Sequence, residues 1–166
     1  PAGLEELDRR VGLYDEGLKE LDKVDDMEDD YALGMFIRGR IVIDQGKVVE
    51  GLDLLRRSSE INPGWKFLGY GPALIEHGYI DEGKEILKEL EAKPLNAYRA
   101  LCTAIMYAQL GDYDKSFEYL NYQQKHAWFA GIRIMFVPDE MRKDPRFLNI
   151  MKNLNLPDPG PLVYTK

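Results

Sequence analysis

A chain of 166 residues, 45% apolar and 31% charged, can bury a core and lacks the bias of a disordered segment. No apolar run approaches the roughly 20 residues of a bilayer span, and a single cysteine, Cys102, excludes an internal disulfide framework and fits a reducing compartment. The net charge of −7 is concentrated in residues 1–30, where twelve acids face four bases (−8); the other 136 residues carry +1, which excludes a global pull toward nucleic acid or an anionic membrane.

Gly12 announces the first element. Two residues on stands Tyr14, five on Gly17 and nine on Leu21. Offsets separated by three and four fall on one helical face, so a helix follows the glycine. Upstream, Glu5 and Asp8 interrupt the apolar pattern, and this first copy is expected to be truncated or frayed. The chain begins Pro1-Ala2 without an initiator methionine, and we expect a piece cut from a longer protein. The acidic run Asp25 to Asp30 lacks the alternating ligands and turn glycine of a calcium loop and reads as a solvated connection.

The same grammar returns at Gly46, Gly78 and Gly111. Two residues on stand Val48, Ile80 and Tyr113; five on, Gly51, Gly83 and Ser116; nine on, Leu55, Leu87 and Leu120. Seven residues before the glycine are Gly39, Gly71 and Ala104, and four before are Val42, Leu74 and Tyr107. Each unit is therefore helix, glycine turn, helix. Glycine inside a helix costs about 1 kcal/mol relative to alanine. Its recurrence at the fifth place predicts a neighbouring helix that crosses too closely for a Cβ. Arg38 departs from the pattern of the second copy, and Pro72, inside the first helix of the third, predicts a kink.

After Gln124 the grammar stops. Trp128 to Met135 can form a helix that Pro138 ends, and Asp144-Pro145 reads as an N-cap with proline at the first helical position. Phe147, Ile150, Met151 and Leu154 then form one apolar stripe, as expected of a terminal helix that covers an array's exposed end. Pro157, Pro159 and Pro161 give an extended tail.

These residues carry a resemblance to the tetratricopeptide (TPR) repeat. Phe67-x2-Tyr70-Gly71-x2-Leu74 with Gly83-x3-Leu87, and Ala104-x2-Tyr107 with Ser116-x3-Leu120, match parts of that family's pattern. Residues 66–157 are similar to C-terminal TPR segments of bacterial signalling proteins: class III adenylate cyclases, winged-helix regulators and serine/threonine kinases. The resemblance implies an all-α, right-handed superhelix of about three and a half TPR-like hairpins with a C-terminal capping helix. Residues 1–126 would hold the hairpins, 127–156 the capping helices and 157–166 the tail. It further implies a cytoplasmic, non-catalytic scaffold, the C-terminal module of a larger signalling or regulatory protein.

In that family the first helices of successive units line a concave groove. Carried onto this sequence, the contact positions are Leu33, Phe36 and Arg40, then Trp65, Leu68 and Pro72, then Tyr98, Leu101 and Ile105. They lack the Lys, Asn and Arg of a carboxylate clamp and suit an apolar or amphipathic segment, from a protein or peptide partner or from an upstream domain of the same parent chain. The alternative occupant of those positions is the core itself. Self-association is the second functional reading, and an enzyme a remote third. His77 and His126 have no metal-ligand spacing, Cys102 sits within an expected helix 95–109 as a small hydrophobe, and no phosphate-cradling glycine loop occurs. Neither a cofactor nor a metal is expected.

Overall fold

Glycine sets the connections and apolar spacing sets the helices. The computed structural model describes residues 15, 16, 18, 19, 32–122 and 138–155, and all regular structure among them is helical. The expectations at Gly12, Gly17, Asp25 to Asp30, His126, Trp128 to Met135 and the proline tail lie outside the described residues. The chain divides into two units, Pro1–Tyr70 and Gly71–Thr165.

In the first unit, α1 (Ala32–Asp44) and α2 (Val48–Ile61) form an antiparallel hairpin. Gly46 takes φ +86° between them, a region closed to most L-residues. Its N–H donates to the Ile43 carbonyl at 2.8 Å and the Lys47 N–H to Val42 at 3.1 Å, which satisfies the last carbonyls of α1 as a Schellman motif does. A Cβ on Gly51 would stand 2.4 Å from Ile43 Cγ1 and 2.6 Å from the Gly39 carbonyl oxygen. The two helices therefore cross backbone to backbone, as the small residues predict. Farther along, the buried Ser58 Oγ donates to the Ala32 carbonyl at 2.6 Å. Leu52 and Leu55 turn inward from α2, while Val49 in its first turn is 73% exposed.

In the second unit, α3 (Gly71–Glu76) pairs with α4 (Ile80–Glu91), and α5 (Ala97–Gln109) pairs with α6 (Tyr113–Leu120). Their turns repeat the first one bond for bond: Gly78 donates to Ile75 and Tyr79 to Leu74, and Gly111 donates to Ala108 and Asp112 to Tyr107. Gly83 meets Ile75 Cγ1 as Gly51 meets Ile43, and the buried Ser116 hydroxyl donates to the Ala104 carbonyl at 2.7 Å. Helix α5 is apolar on every side, and each residue from Ala100 to Ala108 is buried. Asn96 caps it by accepting the Arg99 N–H at 2.8 Å.

Two short helices follow, α7 (Asp139–Arg142) and α8 (Pro145–Asn153). Asp144 caps α8 by accepting the Arg146 N–H at 2.8 Å, with Pro145 in the first turn, as expected. Of the stripe, Phe147, Ile150 and Met151 are buried and Leu154 is half-buried. The kink expected at Pro72 takes another form. The helix widens to a π-turn over Lys66–Tyr70, immediately before Pro72, and continues as α-helix over Gly71–Glu76, so the interruption falls in the turn that precedes the proline.

Candidate functional site

The partly open apolar surface of the first unit starts from a turn. Asn62 Oδ1 accepts the Gly64 N–H at 3.0 Å, and the Asn62 and Pro63 carbonyls accept the N–H groups of Trp65 and Lys66. This short structure after α2 delivers the Trp65 indole to the face of α1, where it stacks on Phe36 with ring centroids 4.5 Å apart and planes 19° from parallel. Gly69 makes room for that ring: a Cβ there would lie 2.5 Å from Phe36 Cε2. Beside the stack opens a cleft of about 480 Å³ lined by Ala32, Leu33, Ile61, Asn62, Pro63 and Trp65. Among the described residues no lining side chain is ionisable; they can desolvate apolar surface and offer one amide.

The sequence-derived contact residues separate accordingly. Leu33, Phe36, Arg40 and Trp65 are half-buried in the first unit, with Phe36, Leu33 and Trp65 gathered at one place. Leu68 is 9% exposed and belongs to that unit's core. In the second unit Tyr98 is half-buried, its hydroxyl paired with the Cys102 thiol one turn along α5. Leu101 and Ile105 have no exposed surface, and Pro72 is buried as well. Leu101 and Ile105 lie on α5, where every residue from Ala100 to Ala108 is buried, and Pro72 lies on α3, so protein encloses all three side chains.

Ile61 and the Asn62-Pro63-Gly64 turn escape the helix-based reading. A second cluster also went unseen. Tyr107 donates to Glu91 Oε1 at 2.6 Å, Tyr119 donates to the same oxygen at 3.3 Å, and Lys115 Nζ donates to the Tyr107 hydroxyl at 3.3 Å. The two rings stack at 5.9 Å, with the Lys115 ammonium 4.7 Å from the Tyr107 centroid. Burial, and then the Glu91 carboxylate, raises the Tyr107 and Tyr119 phenols above their ordinary range. Each polar atom answers another, which makes the cluster a fastener joining α4, α5 and α6.

Reactive groups are subdued. Burial pushes the Cys102 thiol up to about 12, so it stays protonated at neutral pH. Arg146 lies 4.3 Å from the Phe117 ring and pairs with Asp114 at 2.7 Å and Asp144 at 2.9 Å, beside an open cleft of about 470 Å³ at the Gly111 turn. Among the described residues, no group of three or more His, Cys, Asp or Glu side chains is placed to hold a metal, and no helix is long and apolar enough to cross a membrane.

No protein-family model matches this sequence, and no curated protein matches it.

Proposed function

We propose that this chain is a non-catalytic protein-interaction scaffold of TPR-like hairpins, wound as a right-handed superhelix, that takes an apolar or amphipathic segment against its first helices. The recurrence of one turn geometry at Gly46, Gly78 and Gly111, with small residues at each helix crossing, supports the repeat reading. The observation that carries the function is the Phe36–Trp65 stack, half-buried beside a cleft whose described lining is uncharged. Large rigid aromatics at a concave apolar surface are the residues that dominate protein interfaces. The segment would come from a protein partner or from an upstream domain of the same parent, a cytoplasmic signalling or regulatory protein.

Trp65 reports on its own site once Trp128→Phe removes the second indole. Titration with a Leu/Lys amphipathic helical peptide is expected to shift Trp65 emission to the blue. Leu33→Asp is expected to abolish the shift and leave far-UV circular dichroism unchanged. Emission that never responds to the peptide overturns the reading. Self-association is the second reading, favoured by the exposed apolar side chains of Ile37, Val49 and Ile61 in the same unit. Light scattering across a concentration series decides it: a constant monomer mass removes self-association.

A further inference from the structure

We draw no further inference here: the strongest candidate, the partly exposed apolar stripe of Leu33, Ile37 and Ile41 along α1, continues the surface already described, and nothing in the structure shows what covers it.

Discussion

Gly51→Ala sets two terms of opposite sign against each other. Alanine is the better helix former by about 1 kcal/mol, so propensity alone favours the variant. Its methyl, however, would sit 2.4 Å from Ile43 Cγ1, 2.6 Å from the Gly39 carbonyl oxygen and 3.0 Å from the Ile43 amide nitrogen. Two of these three atoms are backbone, so no rotamer change clears the space. Overpacking of this kind costs about 1–3 kcal/mol, and unyielding backbone places Gly51 at the upper end. The net expectation is a loss of about 2 kcal/mol. Gly83→Ala makes the internal comparison. Its methyl also meets an isoleucine Cγ1 at 2.4 Å, but the nearest backbone atom, the Gly71 carbonyl oxygen, is at an ordinary 3.4 Å. Ile75 alone would have to yield, and the net loss should be about 1 kcal/mol or less. Urea unfolding followed by far-UV circular dichroism, with each transition fitted separately if the units melt apart, measures both. A Gly51→Ala protein as stable as the parent, or less affected than Gly83→Ala, would show that the close crossing is not what keeps glycine there.

Gly69→Ala should break the aromatic stack without replacing a cleft-lining residue, because its methyl would enter the Phe36 ring; in the Trp128→Phe background, a changed Trp65 emission with unchanged helicity is the expected result. The phenols of Tyr98, Tyr107 and Tyr119 are raised above 10 in the folded state, burial being the first cause for each. The stability they confer is therefore fully present below the unfolded value and is lost as pH rises past about 10, where the unfolded chain ionises first; urea midpoints at neutral pH and above pH 10 test that sign. Cys102, enclosed and held protonated, should resist iodoacetamide in the native protein and react once urea unfolds it.

Packing needs that remove a side chain leave a signature in sequence, and these were legible. Gly39 with Gly51, Gly71 with Gly83, and Ala104 with Ser116 stood out because a large side chain is expensive where helices touch, whatever lies around them. The Asp144-Pro145 start of α8 was legible for a similar reason, since a cap acts within two residues. Pro72 announced an interruption, but whether the chain kinks or widens into a π-turn is settled by the backbone around it. The Glu91–Tyr107 bond joins residues 16 apart on separate helices, and nothing local marks a tyrosine whose hydroxyl has such a partner.

Burial was the illegible quantity at the candidate site, because an apolar residue at helical spacing reads the same under a ligand or a neighbouring helix. Ordered by distance from each turn glycine, the structure separates the two. Thirteen residues before the glycine stand Leu33, Trp65 and Tyr98, all half-buried. Ten before stand Phe36, half-buried, then Leu68 and Leu101, both buried. Six before stand Arg40, half-buried, then Pro72 and Ile105, both enclosed. Among the described copies, only the first of these three columns keeps exposed surface in each. Side chains deeper in each hairpin are consumed by packing, and Tyr98 already spends its hydroxyl on Cys102. Within the first unit Leu33 and Trp65 keep exposed surface, and Phe36 and Arg40 are the deeper residues that do so as well. That is why Leu33→Asp discriminates where Leu101→Asp would not: the first places a charge on surface, and the second would damage the core.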